Sequence, residues 1–496
     1  MPLSNQDDTT IQKAADQAVL TRLLYSPVDA ASLACFRMAF GGLLLYQTIS
    51  YWGIIERFFV EPRVHFSYPL APFIQPLPLP WMKLYFVLLA LAALGVTIGL
   101  FYQVCSIALF VLYGYLFLID QAYFNNHTYL CVLVAMWMAI APAHRTWSLD
   151  VKLKRITPGN AIPAWPIIVL RAQWVIVYTF GALAKLNGDW LRGEPMTAFL
   201  HPHANAPFIG ELLQTNEAAL FLAWGGFIFD LLIGPALLWR RTRPFAIIFM
   251  LFFHISNHFL FHIGIFPWLA MTSMVLFIEP STPRRWFRSK LQESAPQISK
   301  YRPIPALTGF IVIYMVIQLL APLRPHLYPG HVSWTHEGWF FSWTMKLEMK
   351  DCFVGMQVID RKTGRAWEVD QSRDLNSFQR HRMWQDPAMI AHYARYVREQ
   401  AIHSGIEDPL VIVDAVVSMN GRPFQYMIDP HVELAQTQPT WPKPAPWIVP
   451  LDEDAPIGNY AWSERETFER VMAVIADARQ RPTPDKTNVS SGIGIN

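Results

Sequence analysis

The stretch YTFGALAKLNGDW, residues 178–190, closes a long apolar run with an amine, Lys185. Tyr178 lies seven residues earlier and Arg171 seven before that, so the three share one stripe of a helix. At about 1.5 Å per residue, Lys185 stands roughly 20 Å from Arg171 along the axis. Two readings compete. In the first, Lys185 snorkels to the headgroups, and position alone favours it. In the second, the amine is a general base. That reading needs a neutral amine, which burial in a low dielectric favours, and such an amine is competent near neutral pH.

Other polar groups interrupt the apolar segments, where ionisable residues tend to face a bundle interior or a water-filled cavity. Asn125-Asn126-His127, in FNNHTYL, could hold an oxygen or orient a base. They could equally cap a helix, as Asn and Thr commonly do. His254, His258 and His262, in FHISNHFLFHIGIF, fall at i, i+4 and i+8 on one face. Two His four residues apart can ligate a metal, and membrane di-iron oxygenases are His-rich. Such sites need several His clusters, and His127 is the one clear candidate elsewhere. Hydrogen-bonded imidazoles lining an interior cavity are therefore the weightier reading. Arg37 and Asp230 also sit inside apolar runs. Buried pairing is expected for both, with Arg37 or Arg171 as the partner of Asp230.

The chain that must position these groups has 496 residues, 53% hydrophobic and only 16% charged, with 19 Trp and 33 Phe. Such a composition is that of a membrane protein. A net charge of +3, without Lys or Arg runs, excludes a nucleic-acid partner. The four Cys show no CxxC or zinc spacing. The polar N-terminus lacks the basic start and apolar core of a cleaved signal peptide, so the first apolar segment is expected to direct insertion.

Apolar segments fall near 34–55, 82–101, 103–119, 128–142, 164–186, 216–238, 245–263, 265–279 and 305–322. They predict a polytopic α-helical membrane protein of about nine transmembrane helices, or eight if 245–279 is one helix broken at Gly264 and Pro267. Basic clusters at Arg145–Arg155, Arg240–Arg243 and Arg284–Lys290 share one side, which should be cytoplasmic. The loops at 120–127 and 186–215, and everything after 322, then lie on the other. The expected divisions are a polar segment at 1–30, a membrane domain at 31–322, a non-cytoplasmic β-rich domain at 323–455, and a terminal helix with a disordered tail at 456–496.

That β-rich domain is legible from strand, turn and strand in DCFVGMQVIDRKTGRAWEV, with Lys362-Thr363-Gly364 at the turn. PLVIVDAVVSMNGRPFQYMIDP repeats the pattern around Asn420-Gly421. DPAMIAHYARYVREQA has helical spacing. A last helix is predicted to open on a capping box of Ser463 and Glu466.

The blocks NNHTYL, RAQWVIVYTFGALAKLNGDWLRGEPM, FDLLIG and HIGIFPW, followed by FSWTMKLEM, DRKTGRAWEV and FQYMIDPHVEL, closely resemble the vitamin K-dependent gamma-glutamyl carboxylase family. The resemblance runs in order over roughly residues 25–450. The chemistry it implies begins when a lysine amine deprotonates reduced vitamin K. The resulting anion reacts with O2 and becomes a strong oxygen base. That base removes a glutamate γ-proton, and the carbanion adds to CO2, with vitamin K epoxide as coproduct. No metal is required. The substrate is a Glu-containing protein or peptide, and the lipid bilayer is the setting.

Residue by residue, the resemblance implies Lys185 as the catalytic base, beside Ala184 where the family carries a second lysine. It implies His127, with Asn126, at the quinone oxygen, and it places Tyr178, His254, Trp343 and Met345 about the cofactor. Two positions depart from the animal pattern: Glu348 stands for a His and Lys346 for an apolar residue, in a stretch expected to meet quinone or peptide. Alternatives are a quinone epoxidase that carboxylates nothing, a His-iron membrane oxygenase, and a non-enzymatic binding or transport protein.

Overall fold

The computed structural model describes residues 19–261, 263–287, 301–438, 442–457 and 464–480. Among them, each of the nine apolar segments is a helix. These are α1 (Ala31–Ser50), α2 (Leu79–Ile98), α3 (Tyr102–Leu118), α4 (Asn126–Ile140), α5 (Trp165–Ala184), α6 (Asn216–Leu238), α7 (Arg243–Phe261), α8 (Phe266–Phe277) and α9 (Pro305–Leu320). Six, built on α1, α2, α5, α6, α7 and α9, are long and apolar enough to cross a membrane. The other three have only 17, 15 and 12 residues. Region 245–279 is two helices: Gly264, at φ 60°, turns the chain, and Pro267 occupies the first turn of α8, where no amide donor is needed.

The helices present apolar side chains outward as well as inward. Helix α7 buries Ala246, Met250 and His254 on one narrow stripe and leaves Ile248, Phe249, Phe252 and Phe259 exposed. An apolar outer face of this kind suits lipid.

One end of the bundle gathers the basic clusters. Arg284 grips Asp29 with two hydrogen bonds, at 3.0 and 2.9 Å. Arg155 lies 3.3 Å from Asp150, whose carboxylate accepts the Phe101 and Tyr102 amides that open α3. A short antiparallel pair, β1 (Pro27–Asp29) with β2 (Ala161–Pro163), closes the same end. Lys185, Asn126 and the Gly264 turn belong to the opposite end.

There the extramembrane domain sits. Its antiparallel sheet runs in the order β4-β3-β5-β6, built from β3 (Lys350–Asp360), β4 (Ala366–Glu368), β5 (Pro409–Met419) and β6 (Gln425–Tyr426). Alternate residues Val354, Met356 and Val358 of β3 face Val411, Val413, Ala415 and Val417 of β5 in one core. Helix α10 (Ser377–Trp384) precedes α11 (Pro387–His403), which lays Met389, Ile390, Tyr393, Ala394 and Val397 on that core. Both predicted turns occur, with Gly364 at φ 70° and Asn420 and Gly421 at 54° and 73°. The domain is less contiguous than expected, because Val64 and Phe66, from the loop after α1, fill the same core. Helix α12 (Glu464–Gln480) follows, but Ser463 of the expected capping box, His262 and the terminal stretches 1–18 and 481–496 lie outside the described residues.

Glu348 turns into this domain, toward His336. Its Oε1 lies 3.4 Å from His336 Nε2, and Asp386 Oδ2 lies 3.4 Å from His336 Nδ1. Burial pushes the Glu348 carboxyl up, but His336 and Lys350 outweigh it and hold the group at about 2. The same balance holds Asp386 low. A depressed carboxyl contributes stability that is full above its unfolded value and is lost as pH falls through the folded one. The domain is therefore expected to lose stability between about pH 4.3 and about pH 2. Thermal melts across that window should show a steeper acid loss in wild type than in Glu348→Gln. Equal slopes would remove Glu348 from the cause.

Candidate active site

Helix α5 ends at the feature that decides the site. Lys185 takes the C-cap position, and its Nζ turns back along the helix to donate to Gly181 O at 3.1 Å. Nζ also donates to Asp230 Oδ2 on α6 at 2.7 Å. Both side chains are 8% exposed. Snorkelling is thereby excluded: the amine is turned into the bundle against a carboxylate. The Trp190 ring lies under it, with its centroid 5.2 Å from Nζ.

This pairing corrects the expectation that Arg37 or Arg171 would serve Asp230. Arg37 donates instead to the carbonyls of Val96 and Trp147, at 3.0 and 2.6 Å. Arg171 donates to those of Leu276 and Ile278. Both guanidiniums are held by backbone at the far end of the bundle.

Small residues allow α5 and α6 to approach. A Cβ on Gly234 would lie 3.2 Å from Val175 Cγ1, and one on Gly181 would lie 3.4 Å from both Asp230 Oδ2 and Met345 Cε. Met345 thus reaches from the extramembrane segment onto the turn that carries the pair. That segment is tightly wound, with Phe341, Trp343 and Lys346 all at positive φ, near 60°. Lys346 extends over the Phe199 ring, 5.1 Å from its centroid.

A second group lies one helical stretch along α5. Tyr178 Oη and His254 Nε2 are 2.8 Å apart and fully enclosed. Phe229, the neighbour of Asp230, packs edge-on against both rings. His254 Nδ1 is buried without a partner. His258 stands apart, edge-on to Trp268. Among the described residues no three His, Cys, Asp or Glu side chains converge as a metal site.

Asn126 is the first residue of α4, but its side chain does not cap the helix. Its Nδ2 donates to Thr344 O at 2.6 Å, while its Oδ1 is buried and unpartnered. Next to Thr344, the Trp343 ring stacks on Tyr129 at 5.0 Å, and its Nε1 is also unpartnered. His127 is the next residue of α4. Its Nε2 faces the Gly264 turn, 3.6 Å from where a Cβ would be.

Two families match the chain: the HTTM domain over residues 25–282, and the vitamin K-dependent gamma-carboxylase lumenal domain over residues 304–454. The chain belongs to the vitamin K-dependent gamma-carboxylase family. No solved structure matches it. The family implies dependence on vitamin K and a membrane setting. Lys185, Asp230, Tyr178 and His254 come from the HTTM match, and Trp343, Thr344 and Met345 from the lumenal-domain match. The candidate site of this carboxylase-family chain therefore draws residues from both matches.

The residues present fit a reduced quinone. An aromatic ring bearing two oxygens needs flat apolar walls and a few buried polar atoms. Trp343, Tyr129, Tyr178 and Phe229 supply the first. The unpartnered Asn126 Oδ1, Trp343 Nε1 and His254 Nδ1 supply the second.

Reading the sequence alone missed Asp230 as a site residue. The signal was present, because a carboxylate in an apolar run must find a cation, and Lys185 closes another apolar run. The Tyr178–His254 bond gives a direct test. Tyr178→Phe leaves His254 buried with neither nitrogen paired, a loss of about 1–3 kcal/mol. A lower melting temperature is expected together with a raised KM for hydroquinone. An unchanged KM would separate Tyr178 from the binding pocket.

Proposed function

We propose that the protein is a membrane carboxylase of the vitamin K-dependent type. In this reading it uses reduced vitamin K, O2 and CO2 to γ-carboxylate glutamate in a protein or peptide. The observation that carries the reading is the buried Lys185–Asp230 pair at the seam of the two matched domains. A lysine kept only for membrane anchoring would put its amine in the headgroups.

When bound, the hydroquinone supplies the reducing equivalents and the oxygen-derived basicity that no side chain possesses. The protein's part is to hold it and move one proton. At rest the pair shares a single proton between Nζ and Oδ2 and is neutral overall. Accepting a second proton at Nζ leaves the pair with one positive charge. That charge faces the negative charge which proton removal creates, and in a low dielectric the attraction is large. The Trp190 ring face lies close enough to stabilise the ammonium further.

Asn126 Oδ1 and Trp343 Nε1 offer an acceptor and a donor for the two quinone oxygens. Tyr178 fixes the ring of His254 through Nε2 and so directs Nδ1. Met345, Trp343 and Tyr129 exclude water from the extramembrane side. In this reading His127, beside Asn126 at the start of α4, acts with it at the quinone oxygen. In the proposed topology the nine helices all span the bilayer and the basic clusters are cytoplasmic. The C-terminal domain is then non-cytoplasmic, so a lipid quinone enters from the bilayer and a peptide from water.

The test supplies purified protein with vitamin K hydroquinone, O2, labelled CO2 and a Glu-containing peptide. Epoxide and incorporated label are expected together. Epoxide without label would point to a quinone epoxidase, and stoichiometric iron bound by the His stripe would overturn the reading.

A further inference from the structure

Four residues beyond Lys185, a buried ionic clamp joins the membrane helices to the extramembrane sheet. Asp189 lies in the turn Gly188–Leu191, directly before Trp190. Its two carboxylate oxygens accept from Arg422, at 2.7 and 2.8 Å, in a bidentate grip. Asn420 Nδ2 donates to the same carboxylate at 2.8 Å, and Arg192 adds a more exposed contact at 2.9 Å. Arg422 and Asn420 are essentially fully buried. Burial pushes the Asp189 carboxyl up, but Arg422 and Asn420 outweigh it and hold the group at about 2.

Asn420 does more than hold Asp189. Its Oδ1 accepts from Met349 N, and its own amide donates to Met349 O, both at 2.9 Å. One side chain thus ties the Asp189 turn to the segment before β3. Asp189 stands four residues after Lys185, and Met349 four residues after Met345. Lys185 carries the paired amine, and Met345 rests on the Gly181 turn beside that pair. The left-handed turn at Asn420 and Gly421 presents both donors, Asn420 Nδ2 and Arg422, to one carboxylate. A fold that needed this hairpin only for its sheet would leave those donors to water.

We propose that Asn420 and Arg422, acting through Asp189, are positioning residues for the Lys185 amine. They hold Trp190 under Nζ and keep Met345 seated over Gly181, so that the pair stays closed to water. The proposal rests on the reading of Lys185 as the base, but its geometry can be tested separately. Removing Arg422 alone would strand a buried carboxylate, so the informative variant is the neutral pair Asp189→Asn/Arg422→Gln, which retains hydrogen bonding.

The experiment uses the full chain in lipid nanodiscs and reads the protection of Lys185 from reductive methylation by mass spectrometry. Wild type is expected to resist, and the neutral pair to label at least about tenfold faster at an unchanged melting temperature. In the epoxidation assay kcat should fall by about 10²-fold, the scale of a misplaced catalytic group. KM for hydroquinone should move less than kcat, since the Tyr178–His254 bond is untouched. Arg422→Lys, which cannot grip both oxygens, should fall between. Equal labelling of Lys185 in wild type and variant would overturn the proposal whether or not the chain makes epoxide. Wild-type protein that makes no epoxide, with Lys185 still protected by the clamp, would instead overturn the base reading alone.

Discussion

Lys185→Ala is expected to lower hydroquinone-dependent epoxidation by about 10²–10⁴-fold, the range a positioned general base contributes. The more discriminating variant is Lys185→Arg. A guanidinium keeps the positive charge and can still donate to Asp230, so the fold should be retained. It does not give up its proton at any accessible pH, so it cannot begin a cycle by taking one. If the lysine were only a structural counter-ion, Lys185→Arg would keep most of the rate and Lys185→Ala would lose it through instability. If it is the base, both lose the rate, and only Lys185→Ala loses stability. Melting temperature and initial epoxidation rate, measured on the same preparations, separate the two cases. Substantial epoxidation by Lys185→Arg would end the assignment of Lys185 as base.

The helices and the sheet were legible because each rests on local information. Twenty-residue apolar runs form helices in lipid for want of any other hydrogen-bond partners. Alternating apolar residues in the two runs that lead into the Gly364 and Asn420 turns pair as strands. What escaped local reading was long-range pairing. Asp230 has the same neighbours in sequence whether it pairs with Arg37, Arg171 or Lys185, and only the packing of α6 on α5 selects Lys185. Asn420-Gly421 reads as a hairpin turn, and it is one, yet nothing adjacent says that its side chains reach Asp189, 231 and 233 residues away. Glu348 likewise looked like a site residue by its place after Trp343 and Met345. A few residues of left-handed backbone send it into the sheet domain, toward His336. The Asn126 side chain could have capped α4, and competition from the Thr344 carbonyl decided otherwise.

The second large effect concerns Asp230. Breaking a buried pair by removing one partner leaves an uncompensated charge, at a cost of about 3–5 kcal/mol. Asp230→Ala should therefore unfold well below wild type, and its loss of epoxidation would by itself say little. The double variant Lys185→Met/Asp230→Leu resolves this. Replacing both partners by apolar groups of similar volume is often neutral, or stabilising by about 1–4 kcal/mol, because neither charge is then taken out of water. Its melting temperature is expected to return to that of wild type or above, while epoxidation stays absent. Greater stability together with lost activity is the outcome expected of charges retained for chemistry rather than for folding. The coupling energy from the full cycle, measured by unfolding in detergent, should be large and favourable. Additive single-variant losses would mean that the two groups act independently, and the shared proton between Nζ and Oδ2 would have to be abandoned. Full epoxidation by Asp230→Asn would rule out the shared proton as well, since an amide can accept the lysine's hydrogen bond but cannot share its proton.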